Sequence, residues 1–194
     1  QGGNTGFMGG ATPDSRGRTI LLSLRRMNRI REIDATNMSM TVEAGCVLQT
    51  LHEATEREGL YFPLNLAAKG SCTIGGNLGT NAGGLNVVRY GTTRELTLGV
   101  EVVLMGGRVL NLLSGLRKDN TGYDLRHLFV GSEGTLGVIT AATMKLFPQP
   151  VARATAFAEV RDVAAAVDLL HRLQAASGGG VEAFELIPAD ILHV

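Results

Sequence analysis

Two glycine-rich runs that carry no charged side chain are the part of this sequence best suited to bind a ligand. The first is QGGNTGFMGG at residues 1–10, and the second is SCTIGGNLGTNAGG at residues 71–84. Glycine lets another group approach the main chain closely, and consecutive amides in such a run can form a nest for an anion. Each charge-assisted hydrogen bond contributes about 1.5–3 kcal/mol, so several amides could hold a diphosphate without a lysine. The pattern therefore predicts a diphosphate site built from backbone, and the alternative interpretation is a pair of flexible surface loops.

The spacing of the glycines narrows the kind of nucleotide that this site could bind. Neither run contains the G-x-G-x-x-G spacing of a Rossmann fold or the G-x-x-x-x-G-K-[ST] pattern of a P-loop. NAD in a Rossmann fold and ATP in a P-loop therefore lose support. A different dinucleotide fold, in which the two runs cooperate, remains. The histidines lack the H-x-x-x-H spacing of a zinc site, so we expect no metal.

Composition excludes several other classes of function. The formal net charge is +0 at pH 7, and Lys and Arg are spread along the chain, so we expect no nucleic-acid partner. No apolar stretch is long enough to span a bilayer. Cys46 and Cys72 have the spacing of neither a disulfide framework nor a metal site, and we interpret them as reduced thiols. The predicted location is the cytoplasm, or the mitochondrial matrix in a eukaryotic source.

Hydrophobic periodicity and turn residues predict the elements that position the two runs. The glycine runs themselves are expected to be loops. The predicted elements are a strand at TILLSL (19–24), a strand at MTVEAGC (40–46), a helix over 47–59 with Leu48, Leu51 and Ala54 or Thr55 on one face, a hairpin over 96–113, and a bent strand or strand pair over 135–147.

The sequence Pro148-Gln149-Pro150 predicts a boundary, because the pattern changes after it. Strands are expected at TAFAEV (155–160) and VEAFELI (181–187), on either side of a helix whose N-cap is Asp162. This β-α-β order is typical of the opening of a second α+β unit.

Three segments, in this order, resemble the motifs of a known superfamily. They are QGGNTG at 1–6, AAKGSCTIGGNLGTNAGG at 67–84 and LRKDNTGYDLRHLFVGSEGTLGVIT at 116–140. They are similar to the FAD-binding domain of the vanillyl-alcohol-oxidase (PCMH-type) superfamily, and within it most similar to the FAD-linked D-2-hydroxyglutarate and D-lactate dehydrogenases. The resemblance runs from residue 1 to about residue 150 and continues more weakly afterwards.

The resemblance implies which residues contact the cofactor. The first segment would wrap the FAD pyrophosphate through Gly2, Gly3, Asn4, Thr5 and Gly6. The second would run along the pyrophosphate, the ribityl chain and the flavin, and its matching residues are Gly70, Ser71, Gly75, Gly76, Asn77, Thr80, Asn81 and Ala82. The third would contact the adenosine side or the flavin, mainly through backbone, and its matching residues are Glu133, Gly134, Gly137 and Ile139. For this third segment, a glycine-bent entry to a strand is the alternative interpretation.

The same resemblance implies the fold class and the domains. The expected fold is α+β, with a two-subdomain FAD-binding domain over residues 1–149 that lacks its N-terminal strand and helix. Residues 150–194 would begin an α+β substrate (cap) domain, so the chain is expected to be a fragment of a longer protein.

The implied function is oxidation of a D-2-hydroxy acid, either D-lactate or D-2-hydroxyglutarate, to the 2-oxo acid by hydride transfer to FAD. The partners would be this substrate and an electron acceptor, and a homodimer is left open. Some members of the superfamily link the flavin to a histidine in the first segment; Asn4 stands there, so we expect non-covalent FAD. We assign no catalytic residue, because the family places its histidine-rich segment later in its sequence, and these residues alone are not expected to turn over substrate. The alternatives are another flavin oxidase or reductase of the superfamily, or a non-catalytic nucleotide-binding module.

Overall fold

The computed structural model describes residues 1–191 of the chain. It contains a five-stranded sheet with strand order β1-β2-β6-β4-β5, in which every neighbouring pair is antiparallel, and a two-stranded antiparallel sheet of β3 and β7. The strands are β1 (Ile30–Asp34), β2 (Ser39–Glu43), β3 (Leu60–Tyr61), β4 (Thr97–Val103), β5 (Val109–Leu112), β6 (Val138–Lys145) and β7 (Phe147–Pro148). The helices are α1 (Leu48–Arg57), α2 (Ile74–Thr80), α3 (Val87–Tyr90), α4 (Arg126–Phe129) and α5 (Val163–Ala176), with a 3-10 turn at Ala189–Ile191.

The core lies between the large sheet and helices α1 and α2. Helix α1 buries Leu48, Leu51 and Thr55, the face that the sequence predicted, and it is followed by Gly59 with a φ of 69°. The central strand β6 is buried at six of its eight positions, since β2 and β4 pair with its two edges and α2 packs against it. The prediction of mixed helix and sheet is confirmed by this architecture.

Two predicted elements have the expected form. The hairpin over 96–113 forms as β4 and β5, with Gly107 at a φ of 79° in the turn. The segment predicted as a bent strand or strand pair over 135–147 forms β6, and the chain then enters the separate two-residue strand β7. Both elements follow from β-branched alternation bounded by glycine, which is a local signal.

The strand predicted at residues 19–24 is wrong. That segment has no strand structure, and Ile20 is 93% exposed. Its backbone bonds only to Gln1, whose amino group donates to the carbonyl of Leu22 and whose carbonyl accepts from the amide of Leu24, and to Met27 in a turn, among the described residues. A strand is stable only when a neighbour satisfies its amides and carbonyls, and the apolar composition of this segment cannot supply one.

The strands predicted at 155–160 and 181–187 are also absent from the described residues. The helix between them does form as α5, and the Asp162 carboxylate accepts a hydrogen bond from the amide of Ala165 at 2.7 Å, as expected of an N-cap. Only Ala166 of this helix is buried. The division into domains at residue 149/150 stays a prediction. Residues 192–194, the end of the predicted second domain, lie outside the described residues.

No helix in residues 1–191 combines the length and the apolar character that crossing a bilayer requires.

Candidate functional site: a glycine cradle

The two glycine runs, far apart in sequence, pack directly against each other. A Cβ built on Gly3 would lie 2.1 Å from the carbonyl oxygen of Ser71 and 2.8 Å from the Cα of Cys72. A Cβ on Gly2 would lie 2.7 Å from the Thr73 hydroxyl and 3.1 Å from the Cα of Gly76. No side chain fits at these distances, so glycine is required at both positions for the backbones to meet. The two runs therefore form one surface, and their cooperation in binding a dinucleotide stays a prediction.

The second run is a helix in its middle part, and this corrects the prediction of a loop. Helix α2 begins after Thr73, whose hydroxyl accepts a hydrogen bond from the amide of Gly76 at 3.4 Å. The amides of Ile74 and Gly75 donate to the carbonyls of Cys46 and Ala44, at 2.9 and 2.8 Å. Sequence reasoning missed the helix because glycine disfavours helices by about 1 kcal/mol per residue relative to alanine. Packing against β6 and the bonds to Ala44 and Cys46 override this preference.

These contacts decide which amides are free to bind an anion. The amides in the first turn of α2 already donate to protein carbonyls and to the Thr73 hydroxyl. Within residues 1–191, by contrast, the amides of residues 2–6 have no protein acceptor. The backbone anion site predicted for both runs stays a prediction, for which the amides of residues 2–6 are available and those of Ile74, Gly75 and Gly76 are not. Gly75 serves close packing instead, since a Cβ there would lie 2.6 Å from the Cβ of Ala44.

The third segment meets the C-terminal end of α2. The amide of Gly131 donates to the carbonyl of Leu78, and that of Glu133 donates to the carbonyl of Gly79, both at 2.9 Å. A Cβ on Gly10 would lie 3.9 Å from a carboxylate oxygen of Glu133, so the first loop also reaches this segment. We call the surface formed by residues 2–6, 71–82 and 131–134 the cradle.

Backbone strain is concentrated in the cradle. Four residues other than glycine have a positive φ among those described, and Asn4 (55°), Asn81 (51°) and Glu133 (52°) are three of them. Such conformations cost about 1–3 kcal/mol each and cluster at functional sites. Asn81 ends α2 in this conformation, and its side-chain oxygen accepts hydrogen bonds from the amide of Arg94 at 2.9 Å and from the hydroxyl of Thr92 at 3.0 Å.

Not every residue that the sequence singled out faces the cradle. The side chain of Asn77 is buried and donates to the sulfur of Cys72 at 3.7 Å, and Ile139 is a core residue of β6. Gly137 is buried as well, and a Cβ there would lie 2.7 Å from Val102, which fits the glycine-bent strand entry. A cofactor contact by Asn77 or Ile139 could therefore involve only backbone. The remaining candidates belong to the cradle, namely Gly2, Gly3, Asn4, Thr5, Gly6, Ser71, Gly75, Gly76, Thr80, Asn81, Ala82, Glu133 and Gly134, except Gly70, which directly precedes its second range.

An open groove of about 530 Å³ lies beside the first loop. Gly3, Ser71 and Thr73 are among the residues that line it, and Arg25 is the charged side chain in its lining. Arg25 belongs to no motif that the sequence analysis identified, and only the folding of the chain places it next to the glycines. Cys46 also lines the groove, but burial raises the pKa of its thiol to about 11, so the sulfur is a neutral thiol at physiological pH.

No group of three or more His, Cys, Asp or Glu side chains that could hold a metal ion occurs in the part of the chain that the structure describes.

The cradle has the features that a dinucleotide cofactor requires: unpaired amides, glycines that exclude side chains, and a groove alongside. Residues 1–113 match the FAD binding domain family, so the chain belongs to this family of flavin-nucleotide-binding proteins. Its cofactor is FAD, and the PCMH-type resemblance of the three segments is confirmed.

Particular relatives sharpen this assignment. The chain is 47% identical, over its whole length, to the mitochondrial D-2-hydroxyglutarate dehydrogenase of Bos taurus, of which it covers 35%. It is 43% identical over 78% of its length to the D-2-hydroxyglutarate–pyruvate transhydrogenase of Saccharomyces cerevisiae, of which it covers 30%. The chain thus spans about a third of the length of the curated relatives it matches.

A solved structure shares the fold. An alkyldihydroxyacetonephosphate synthase superposes with a TM-score of 0.69 at 29% identity, over 78% of this chain and 27% of that one.

Proposed function

We propose that this chain is the cofactor-binding part of an FAD-dependent dehydrogenase that oxidises D-2-hydroxyglutarate to the 2-oxo acid. The observation that carries the proposal is the convergence of residues 2–6, 71–82 and 131–134 on one surface, in a chain 47% identical to a D-2-hydroxyglutarate dehydrogenase. Between the two acids that the sequence left open, this identity favours D-2-hydroxyglutarate over D-lactate.

The residues of this chain bind and orient the cofactor. We place the diphosphate on the free amides of residues 2–6, whose hydrogen bonds to an anion contribute about 1.5–3 kcal/mol each. Ser71 is exposed beside Gly3, so its hydroxyl can add a donor to the same ligand. Bound FAD supplies the hydride acceptor, and the chain supplies the position and the electrostatic surroundings of that acceptor.

We also propose that FAD is held without a covalent bond. Asn4 is exposed at the first loop, and an amide is not a nucleophile that could attack a flavin. Cys46 and Cys72 are 2% and 3% exposed, and burial raises the pKa of both thiols, so neither offers a thiolate. The described residues of the cradle contain no histidine.

The proposal is tested on the intact protein that contains this chain. We expect a flavin absorbance spectrum, and anaerobic addition of D-2-hydroxyglutarate should bleach it, whereas L-2-hydroxyglutarate should not. Addition of pyruvate to the bleached protein then asks whether that 2-oxo acid is an electron acceptor, a role suggested by the name of the yeast relative. A protein that purifies colourless and cannot be reconstituted with FAD would refute the proposal.

Other outcomes separate the alternatives. Bleaching by D-lactate but not by D-2-hydroxyglutarate would assign the other substrate. A yellow protein that no D-2-hydroxy acid bleaches would favour a different flavin activity, for which the synthase with the TM-score of 0.69 offers a precedent in fold. Cytoplasmic or mitochondrial location and a homodimer stay predictions, and the name of the bovine relative favours mitochondria.

A further inference from the structure

Arg94 lies between the C-terminal end of α2 and the third segment, and neither glycine run includes it. Its amide donates to the side-chain oxygen of Asn81 at 2.9 Å. Its guanidinium donates through Nη1 to the carbonyl of His127 and through Nη2 to the carbonyl of Val130. One residue thus bonds to the end of α2 with its main chain and to the segment before Gly131 with its side chain.

A single side chain can bond to both carbonyls only if it offers two separate N–H donors. They belong to the last turn of the short helix α4 and to the residue that follows it, where carbonyls lack helical partners. A guanidinium is planar and offers parallel N–H groups in a fixed fork, while a lysine ammonium is a point charge on a flexible stem. Arg94 is half-buried, so these bonds are partly shielded from water.

The bonds of Arg94 fix the geometry of the cradle. Besides Arg94, the hydrogen bonds from Gly131 to Leu78 and from Glu133 to Gly79 hold the third segment on α2. Glu133 has a φ of 52°, a conformation that persists only where the surroundings impose it. Loss of the guanidinium would leave the carbonyl of Val130, next to Gly131, without this donor, and the strained segment could relax away from α2.

We propose that Arg94 is a positioning residue for FAD: it sets the third segment of the cradle against α2 without itself touching the cofactor. This inference rests on the proposed placement of FAD in the cradle. Its consequence is that cofactor affinity depends on Arg94 beyond any effect on folding.

The test compares Arg94→Met and Arg94→Lys with a matched control, Arg117→Met, in the intact protein. The Arg117 guanidinium also donates to carbonyls, those of Asn37, Met38 and Leu146, at 3.0 to 3.3 Å. Arg117 belongs to the sequence segment 116–140 but lies outside residues 131–134 of the cradle, and the carbonyls that it binds lie at the end of β6 opposite to Glu133. The control therefore removes a carbonyl clamp away from the cradle. The measurements are the dissociation constant for FAD, from titration of the apoprotein, the visible circular dichroism of the bound flavin, and thermal unfolding of the apoprotein.

We expect Arg94→Met to weaken FAD binding at least tenfold and to change the visible dichroism of the flavin. Arg94→Lys should restore only part of the affinity, and Arg117→Met should lower the unfolding temperature with the wild-type dissociation constant and dichroism. Equal affinity in wild type and both Arg94 variants, or equal losses in Arg94→Met and Arg117→Met, would overturn the inference.

Two further outcomes are distinguishable. If Arg94→Met does not fold, the lysine variant decides, because wild-type affinity and dichroism there would exclude a role for the two-armed donor. If the wild-type apoprotein itself binds no FAD, the proposed function fails first, and the inference fails with it.

Discussion

Replacement of Gly3 by alanine tests whether backbone amides of the first loop hold the cofactor. The new Cβ would lie 2.1 Å from the Ser71 carbonyl oxygen and 2.8 Å from the Cα of Cys72, and both of these are backbone atoms that cannot rotate away. Non-bonded carbon contacts are optimal at about 3.5–4.0 Å, so the loop must move outward by roughly 1 Å or more. A displacement of that size is enough to misalign amides that point at a diphosphate.

The expected loss follows from the number of amides displaced. One charge-assisted hydrogen bond is worth about 1.5–3 kcal/mol, which corresponds to an affinity change of about 10- to 150-fold, and loss of two bonds would be larger. The dissociation constant for FAD, from fluorescence titration of the intact apoprotein, is the quantity to measure.

Gly106→Ala is the matched control for this experiment. Gly106 lies in the turn between β4 and β5, outside the cradle; a Cβ there meets nothing within 4 Å, and its φ is outside the left-handed region. We expect this variant's affinity for FAD to stay within about threefold of wild type, since no backbone in the cradle need move. If Gly3→Ala binds FAD as tightly as Gly106→Ala, backbone contacts of the first loop do not hold the diphosphate, and the reasoning is refuted.

Three further outcomes are expected. After acid precipitation of the intact holoprotein, the flavin should be found in the supernatant; yellow colour in the pellet would show a covalent link. The Cys46 and Cys72 thiols should react with a disulfide reagent at pH 8 only after unfolding, because both are buried and the pKa of Cys46 is raised to about 11; rapid labelling of the native protein would contradict this. Glu43 is buried and accepts hydrogen bonds from the Arg29 amide and guanidinium, both at 3.0 Å, and the Arg29 guanidinium is the main cause of its lowered pKa. A lowered carboxyl pKa stabilises the fold above the usual value of 4.5 and ceases to do so as pH falls through the native pKa. Glu43→Gln should therefore lower the free energy of unfolding by about 1.5–3 kcal/mol at pH 7, with a smaller difference at pH 3 in urea titrations; a difference independent of pH would contradict the charge-based account.

Much of the local structure could be predicted because its causes are local. Helix α1 follows from the spacing of Leu48, Leu51 and Thr55, and the hairpin of β4 and β5 follows from alternating residues around a glycine turn. The N-cap of α5 follows in the same way from Asp162. In each of these elements, the residues that decide the structure lie within a few positions of one another.

The predictions that were wrong concern elements whose structure depends on contacts with a distant segment. The apolar segment 19–24 and the segments 155–160 and 181–187 have strand composition, yet a strand also needs a neighbour to satisfy its backbone. Helix α2 is the opposite case, because its glycines predict a loop, and contacts with Ala44, Cys46 and the sheet make it a helix.

The sequence by itself determined the chemistry of the site: uncharged glycine runs suited to a diphosphate, and three ordered motifs of an FAD-binding domain. Tertiary structure alone decided which amides donate within the protein: the carbonyls of Cys46 and Ala44 accept from Ile74 and Gly75, whereas the amides of residues 2–6 have no protein acceptor within residues 1–191. It also decided that Arg94, which lies outside both runs, would join the end of α2 to the third segment. The physical reason is that hydrogen-bond pairing between distant segments depends on the folded positions of both partners, which no local pattern encodes.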